Sequence, residues 1–410
     1  MISQSLIQTI SFYSQKIAVA CGILLGFSMP ISTGLDSVLL IFILFFALIG
    51  WNKQYIDYIT NNPIAKASLA LFLILFIACF FGQAPLKNSF KVLKKYDELI
   101  LIVLLIPIFK QQILQTYAKY SFMAAMLFTL VLSYLIWLGV FQGTSLFATR
   151  MPDNPVVFKL HITHSIFMSF AAFMFAVYAM QSAGKTRWLF VSASVLAACN
   201  VLLMTQGRTG YLVIFALAIY LILSILPKQS IMWGLGLILL ASVSTYVSSP
   251  QIQSRVNLSL HEAKSWQPMQ GNNQSSSIGT RLDYYSNTIK IIHKHCLFGV
   301  GTGGFEAAYA KEIAGTAVAP SSNPHNQYLL FWAQGGALGL AAFIALLALA
   351  RQQAKRLVNH TDTLLAHGVI ITIAVGCLFN SLLLDHAEGL FFGWFLGLLF
   401  AGLPSRERSM

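Results

Sequence analysis

The apolar runs of this chain constrain its fold more than any other feature. Uncharged, apolar stretches recur along nearly all of the 410 residues, and only 10% of the residues are Asp, Glu, Lys or Arg. Soluble domains carry about 25% charged residues, whereas a helix of about 20 apolar residues is long enough to span a bilayer. The predicted fold class is therefore an all-α integral membrane protein.

The apolar runs predict about twelve transmembrane helices and no soluble domain. The predicted spans are residues 17–32, 36–51, 67–82, 97–115, 120–141, 164–181, 188–204, 210–226, 231–247, 326–350, 364–384 and 388–404. They divide the chain into a bundle of nine spans (1–247), a large extramembrane loop (248–325) and three further spans with a short tail (326–410).

The basic residues predict the orientation of the chain. Lys and Arg outnumber Asp and Glu by 26 to 13, an excess that a nucleic-acid binder could also carry. Here they lie in short loops between apolar runs, so membrane topology and anionic lipid substrates explain them better. The short loops at 33–35 and 385–387 contain no Lys or Arg, which predicts cytoplasmic termini and an outer location for residues 248–325.

The cysteines and histidines indicate no metal site. Four of the five cysteines lie within apolar runs, and Cys296 stands alone in a loop, so neither a disulfide framework nor metal-ligand spacing follows. His293-Lys-His295 contains two possible ligands, but no carboxylate or thiolate cluster accompanies them. No metal ion and no cofactor is expected.

One predicted outer loop departs from the charge pattern. Within residues 83–96, the spacing of Lys87, Lys91, Lys94 and Lys95 places these side chains along one face of a helix. Either the span count is wrong at this point, or a basic interfacial helix holds an anionic lipid head group on the outer side.

The segment Asn323-Pro324-His325-Asn326 opens the tenth predicted span. Asn is a favourable N-cap and Pro suits the first helical position, so the helix is predicted to begin here with His325 in its first turn. A helix N-terminus disfavours added positive charge, and an imidazole with an unperturbed pKa of about 6.5 would then be neutral and able to act as a general base. The alternative is that His325 merely caps the helix.

Two arginines are predicted on the same outer side as His325. Arg208 lies at the junction of the seventh and eighth spans, and Arg281 begins a helical stripe within residues 248–325. An arginine at such a junction is unfavourable unless it pairs or binds an anion, and guanidinium groups bond bidentately to phosphate oxygens. Two converging arginines would suit a pyrophosphate, although Arg208 could instead extend to the interface without any partner.

Gly299-Val-Gly-Thr-Gly-Gly304 fits the dinucleotide-binding pattern G-x-G-x-x-G literally. That pattern requires a preceding strand and a βαβ unit, so we interpret the segment as a turn that lets backbones pack closely.

The distribution of ionisable residues separates an enzyme from a transporter. A transporter is expected to place ionisable residues near the membrane midplane. The predicted spans contain Asn200 and Asn380, but we expect no Asp, Glu, Lys or Arg to be buried within them. The outer loops carry a varied set that includes Arg150 and Asp385-His386, which favours an enzyme working at the outer membrane boundary.

Two motifs resemble those of the O-antigen ligase superfamily. His325-Asn326, nine residues, Gly336, two residues and Gly339 resemble its signature H-[NSQ]-x9-G-x2-[GTY]. Arg208-Thr-Gly-Tyr-Leu212 resembles its R-x3-L motif. Twelve spans and a large loop before the tenth are also similar, so the resemblance covers most of the chain.

The resemblance implies a GT-C-like glycosyltransferase architecture and a metal-independent, inverting transfer on the periplasmic face of a Gram-negative inner membrane. The donor would be a glycan on undecaprenyl pyrophosphate, and the acceptor a sugar hydroxyl of lipid A–core; membrane lipids would be further partners, and no nucleic acid. His325 would be the base, Arg208 and Arg281 would bind the pyrophosphate, and Asn326 would orient the imidazole or the acceptor. Contacts to lipid phosphates or sugar would come from Arg150, Lys87, Lys91, Lys94, Lys95, Asp385 and His386.

The superfamily also includes polymerases of O-antigen and protein O-oligosaccharyltransferases. Its protein-glycosylating members tend to have extra sequence near the C-terminus, whereas this chain ends soon after the twelfth predicted span. We therefore expect a lipid acceptor. A protein acceptor, a polymerase and a twelve-span transporter remain the alternatives.

Overall fold

A computed structural model describes residues 4–141, 151–248, 250–267 and 277–403. Within these ranges the regular structure is helical, and the β-type pairing consists of one isolated bridge between Met151 and Asn154. The predicted all-α fold class is confirmed.

Seventeen α-helices, α1 to α17, occur in the described part of the chain. In order they are Gln4–Ser28, Thr33–Ile49, Lys53–Asn61, Pro63–Ala78, Leu86–Leu93, Glu98–Ile108, Gln112–Trp137, His161–Gln181, Gly184–Cys199, Arg208–Ile225, Lys228–Ser248, Pro250–Ser265, Ser277–Lys294, Phe305–Glu312, Gln327–Ala354, His360–Gly376 and His386–Phe400.

Six helical segments in the described ranges are long and apolar enough to cross a membrane. They are α1, α7, α8, α9 with the π-helical turn that follows it, α10 and α15. The bent pair α2 and α3, which turns through 115°, adds a seventh if it counts as one span, and α4, the first part of α11 and α17 are shorter apolar helices. The membrane character is confirmed, and the count of twelve spans stays a prediction.

Two predicted spans are interrupted in the structure. Residues 97–115 do not form one helix, because α6 ends at Ile108 and α7 begins at Gln112. Residues 364–384 do not either, because α16 ends at Gly376. The carbonyl groups that follow α16 bind side chains and backbone of other segments instead of continuing the helix, as described below.

Helix α17 forms the centre of the aromatic core. Every residue from 387 to 400 is buried, and the rings of Phe391 and Phe395 lie 5.0 Å and 4.9 Å from that of Phe170 in α8. On its other side, Gly393 and Gly397 lie against α6, where an added Cβ would come within 2.7 Å of neighbouring atoms. Small residues spaced four apart allow two membrane helices to approach closely, so α17 packs tightly on both sides.

Several charged side chains are buried within the bundle, so the expectation of charge-free span interiors was wrong. Asp36, Glu98 and Glu388 lie within predicted spans and are buried, and Lys119 and Asp362, which lie just before two further spans, are buried as a pair. Each lies within about two turns of a helix end, where partners from neighbouring loops and helices are available. A hydropathy pattern along one segment does not reveal such partners.

The loop between α13 and α14 docks into a break in α15. Gly336 interrupts that helix with φ +64°, a conformation that glycine adopts readily. The break leaves backbone groups without hydrogen-bond partners in the helix, and the loop supplies the missing partners. Val300 N–H donates to Ala333 O (2.7 Å), and Ala337 N–H donates to Cys296 O (2.9 Å). The glycine of the predicted signature therefore marks the point where the loop enters the helix.

The same loop also joins α15 to α4. Gly301 has φ +84° and packs on Gly82, since an added Cβ would lie 2.1 Å from the Gly82 Cα. Thr302 closes the C-terminus of α4, its N–H donating to Ala78 O (3.2 Å) and its hydroxyl to Leu75 O (2.7 Å). These contacts confirm that the glycine-rich segment is a turn for close backbone packing.

Replacing Gly336 with alanine should destabilise the protein. The new methyl group would lie 2.0 Å from Leu297 O, and φ +64° adds backbone strain on the order of 1–3 kcal/mol. Gly335→Ala is the matched control, because its nearest contact would be an ordinary 3.7 Å to Ile74. Thermal unfolding in detergent should give a lower Tm for Gly336→Ala than for Gly335→Ala. Equal Tm values would contradict the docking role of Gly336.

Candidate functional site

The position of Arg208 is set by close packing between α10 and α8. Arg208 is the first residue of α10, and Gly207 is its N-cap. A Cβ on Gly207 or Gly210 would lie 2.0 Å or 2.5 Å from atoms of Ser165 in α8. Because α10 and α8 approach so closely here, the start of α10 is held against α8. The backbone position from which the Arg208 side chain extends is therefore fixed.

Arg281 approaches Arg208 from α13. Its Nη2 lies 3.5 Å from Oδ1 of Asn380, whose amide donates to Thr209 Oγ1 (2.8 Å), the residue next to Arg208. Burial, and then the charge of Arg208, lower the pKa of Arg281 from its ordinary value. Two predicted site residues from distant parts of the sequence thus lie close enough to repel each other.

One guanidinium nitrogen at this site lacks a partner. Arg208 Nη1 is buried and has no hydrogen-bond partner among the described residues. A buried charged donor left unpaired is strongly unfavourable, and a second cation beside it adds to the penalty. Oxygens of an anion bound between the two arginines would relieve both effects.

His325 lies just outside α15, so the prediction that Asn323 caps the helix was wrong. The N-cap is Asn326, whose side chain accepts from the Leu329 N–H (3.0 Å). Asn323 Oδ1 instead accepts from the His325 N–H (2.9 Å) and forms a turn over two residues. His325 itself has φ +52°, and such backbone strain in a residue other than glycine is concentrated at functional sites.

The imidazole of His325 is surrounded by groups that favour its neutral form. The Tyr284 ring stacks on it with centroids 5.6 Å apart and planes 19° apart. Burial, and then the positive charge of Arg281, lower the pKa of His325 below its ordinary value. The predicted neutral imidazole agrees with this direction, and burial is its largest cause.

The chain that follows α16 ties these elements together. Leu378 O accepts hydrogen bonds from Tyr285 Oη (3.1 Å) and from Asn326 Nδ2 (3.0 Å), and Cys377 O accepts from the Gln327 N–H (2.9 Å). Tyr285 Oη also lies 3.3 Å from His325 O. The structure therefore brings Arg208, Arg281, His325 and Asn326 together, with Asn326 acting as a cap and tether.

Sequence reasoning missed three residues of this site. Tyr284 gave no signal, because ring stacking depends on how α13 meets the start of α15. Tyr285 belongs to the helical stripe that begins at Arg281, and the spacing of that stripe gives no sign of a site contact. Asn380 did carry a signal, since an amide inside a predicted membrane span requires a hydrogen-bond partner.

A second group of predicted residues surrounds a cavity of about 620 Å³. Lys91, Lys94 and Lys95 of α5 and the following turn line it together with Asp385 and His386 at the start of α17. The remaining lining residues are largely apolar: Leu40, Ile43, Leu44, Asp97, Glu98, Ile100, Leu101, Leu104, Leu384 and Leu390. Lys87 is not among them, so the structure separates it from the other three lysines. We call this space the lysine cavity.

His386 connects the lysine cavity to a buried charge. Its Nε2 lies 3.7 Å from Asp36 Oδ2, and Lys159 Nζ lies 3.9 Å from the same oxygen. Ser28 donates to the other oxygen of Asp36 (2.5 Å). Asp36 therefore lies beside two basic side chains, one of them on the wall of the cavity.

A comparison with known proteins agrees with this arrangement. Residues 193–344 match the family model described as O-antigen ligase. This match supports the O-antigen ligase superfamily for that part of the chain. The matched range includes Arg208, Arg281, His325 and Gly336, and it excludes the lysine cavity. Proteins of this family are membrane ligases and polymerases of the O-antigen type.

A curated relative adds little about function. An uncharacterized protein of Haemophilus influenzae is 24% identical to this chain over 168 residues. That match covers 39% of the chain and 41% of the relative, so the chain spans about two fifths of the length of this curated relative.

Arg150, which was predicted to contact substrate, lies outside the described residues. His295 contacts Gln83, with 3.3 Å between the two side-chain nitrogens. Within the described ranges, no three His, Cys, Asp or Glu side chains are grouped so that they could hold a metal ion.

Arg281→Gln should raise the pKa of His325, because it removes a positive charge that disfavours the protonated imidazole. The reaction of His325 with diethyl pyrocarbonate, which requires the neutral ring, should then begin at higher pH. Mass spectrometry of the His325 peptide measures this midpoint. Lys294→Gln removes the same charge from the same helix and should leave the midpoint unchanged. A midpoint that is insensitive to Arg281→Gln would contradict the proximity of the two groups.

Proposed function

We propose that this protein is an O-antigen ligase that transfers a glycan from undecaprenyl pyrophosphate to lipid A–core. The observation that carries the proposal is the convergence of Arg208, Arg281 and His325, with one nitrogen of Arg208 buried and unpartnered. Two guanidinium groups and one neutral imidazole are the groups that a displacement of pyrophosphate from a sugar requires.

The two arginines would hold the leaving group. The bond between the anomeric carbon and the pyrophosphate oxygen breaks, and the electron pair leaves on that oxygen. Arg208 and Arg281 would stabilise this charge through bidentate hydrogen bonds, which strengthen as the charge develops. Because a pyrophosphate is already a good leaving group, no metal ion is needed for this step.

His325 would activate the acceptor. Its neutral imidazole takes the proton of a sugar hydroxyl while the hydroxyl oxygen attacks the anomeric carbon from the side opposite the pyrophosphate. The configuration at that carbon is therefore inverted. The lowered pKa of His325 supports this role, because the ring stays neutral beside Arg281 and is therefore able to accept a proton.

Other side chains would position these groups. Tyr284 stacks on the imidazole and restricts its rotation. Asn380 links Arg281 to the start of α10, and Asn326 holds the His325 turn against Leu378 O. Arg150 would contribute a further phosphate or sugar contact from its loop.

The lysine cavity would receive the phosphate groups of a lipid substrate. Lys91, Lys94 and Lys95 offer positive charge beside a mainly apolar wall, which suits an anionic head group attached to a hydrocarbon chain, and His386 offers a further hydrogen-bonding group. Asp385 would hydrogen-bond to sugar hydroxyls.

The proposed location is the inner membrane of a Gram-negative bacterium, with cytoplasmic termini and a periplasmic site. The absence of Lys and Arg from the short loops at 33–35 and 385–387 supports this orientation. Protein O-glycosylation, glycan polymerisation and transport are the competing functions.

His325→Ala should reduce transfer by about 10²-fold or more, because the general base is lost. Purified protein in nanodiscs would receive an undecaprenyl-pyrophosphate-linked glycan with lipid A–core or a pilin-type protein as acceptor, in the presence of EDTA. His293→Ala is the matched control, since His293 is an exposed histidine on α13. Transfer to lipid core that depends on His325 and not on His293 is the expected result.

The other outcomes of this assay decide between the alternatives. Transfer to the protein acceptor alone would assign an oligosaccharyltransferase with the same chemistry. Extension of the lipid-linked glycan without either acceptor would assign a polymerase. Full activity of His325→Ala would contradict the assignment of His325 as the general base. Strong inhibition by EDTA would contradict the metal-independent mechanism.

Lys91→Gln should raise the KM for the lipid-linked substrate by about fivefold, the effect of losing one basic contact near a membrane surface. Lys87→Gln is the control, because Lys87 is an exposed lysine one turn away that does not line the lysine cavity. Steady-state kinetics of both variants in nanodiscs would measure the difference. Equal KM values would show that the cavity does not contact the substrate.

A further inference from the structure

A second basic cavity lies at the end of the bundle opposite the candidate site. It has a volume of about 530 Å³. Its wall includes Pro63, the first residue of α4, whereas the last residue of α4, Ala78, contacts the glycine turn. It also includes Gln353 near the end of α15, a helix of 28 residues that begins beside His325. We call this space the distal cavity.

Three cations converge on the distal cavity from separate connections. They are Lys66 in the first turn of α4, Lys110 between α6 and α7, and Arg356 just after α15. Among the described residues that line the cavity, Asp57 is the only carboxylate. A charge bias set by membrane topology would place basic residues in these connections, but it would not direct three of them into one space.

None of these cations is neutralised by the described part of the chain. No described carboxylate lies within 4.0 Å of Lys66, Lys110 or Arg356. Lys110 Nζ lies 4.0 Å from the centre of the Tyr58 ring, and Arg356 donates to Gln353 Oε1 (2.9 Å). Partial burial against its neighbours lowers the pKa of Lys110, although the side chain remains mainly exposed. The cavity therefore has an excess of positive charge available to an anion.

The rest of the wall suits a lipid better than a free ion. The cavity is lined by the apolar side chains of Ile106, Leu349, Ala401 and Leu403, beside the amides of Asn61, Asn62, Gln352 and Gln353. Helix α3, which contributes Asp57 and Tyr58, turns 115° away from α2 and so crosses the ends of the bundle. The cavity thus offers both groups that can bind a phosphate and apolar surface that suits a hydrocarbon chain, at the level where the helices end.

We propose that the distal cavity binds the phosphate group of an anionic phospholipid, held by Lys66, Lys110 and Arg356, with the acyl chains along its apolar wall. Basic pockets between membrane helices recognise lipid phosphates in this way. Inorganic phosphate offers the same oxygens without the chains. The site is independent of glycan transfer, because it lies at the other end of α4 and α15.

Binding of phosphatidylglycerol would be measured by native mass spectrometry of the delipidated protein, with phosphatidylcholine as the zwitterionic comparison. The test variant is Lys66→Gln with Lys110→Gln and Arg356→Gln. The matched control is Lys53→Gln with Arg351→Gln and Lys355→Gln, three exposed cations of α3 and the end of α15 that do not line the cavity. The test variant should lose affinity for phosphatidylglycerol about tenfold or more, and the control should keep it.

Inorganic phosphate in phosphatidylcholine nanodiscs distinguishes the two sources. Inorganic phosphate could raise the Tm of the wild type but not of the test variant, while phosphatidylglycerol does not bind. That result would assign a site for free phosphate and would contradict the proposed lipid ligand. An equal loss of phosphatidylglycerol affinity in the test and control variants would show that surface charge alone is responsible. That result would contradict the proposed site. The absence of both phosphatidylglycerol and phosphate binding would also overturn it.

Folding of the test variant is checked in the same nanodiscs. Its three substituted side chains are exposed, so its Tm in phosphatidylcholine should equal that of the wild type. Lys66→Gln with Arg356→Gln leaves the contact between Lys110 and Tyr58 in place. This double variant must lose phosphatidylglycerol binding at an unchanged Tm, and retained binding would contradict the proposal.

Discussion

The break in α15 is the constraint on which the site depends. A membrane helix cannot leave backbone groups unpaired without a penalty of several kcal/mol, and the loop around Val300 supplies the missing partners at Gly336. The same loop closes the end of α4, so α4, α15 and the segment that contains α13 and α14 become one unit. Because α13 leads directly into this loop, the position of Arg281 relative to the start of α15 follows from the docking.

The electrostatics of the site follow from bringing like charges together. Arg281 and Arg208 are held close in a partly buried place, and the nearby imidazole responds with a lowered pKa. The charge of Arg281 therefore has two effects in the proposed mechanism. It favours the departing pyrophosphate, and it keeps the neighbouring imidazole of His325 neutral. Two cations that repel each other in this way are suited to an anionic ligand.

Both ends of the bundle concentrate positive charge beside apolar walls. The lysine cavity lies next to the start of α17, and the distal cavity lies at the far ends of α4 and α15. Helix α17, which is buried from residue 387 to residue 400, contributes to both, through Asp385 and His386 at one end and Ala401 just past the other. Tight packing of this helix thus fixes the walls of two cavities that differ in their proposed ligands.

The sequence by itself determined the all-α membrane class, the helical lysine segment and the motif residues Arg208, His325 and Gly336, because apolar length, helical spacing and short motifs are local properties. Only the tertiary structure decided that α15 starts one residue after Asn326, that Tyr284 stacks on the imidazole, and that Lys119 and Asp362 are buried as a pair. These features depend on partners from distant segments. Capping, stacking and ion pairing are interactions across space, and a pattern along the chain contains no information about which groups will meet.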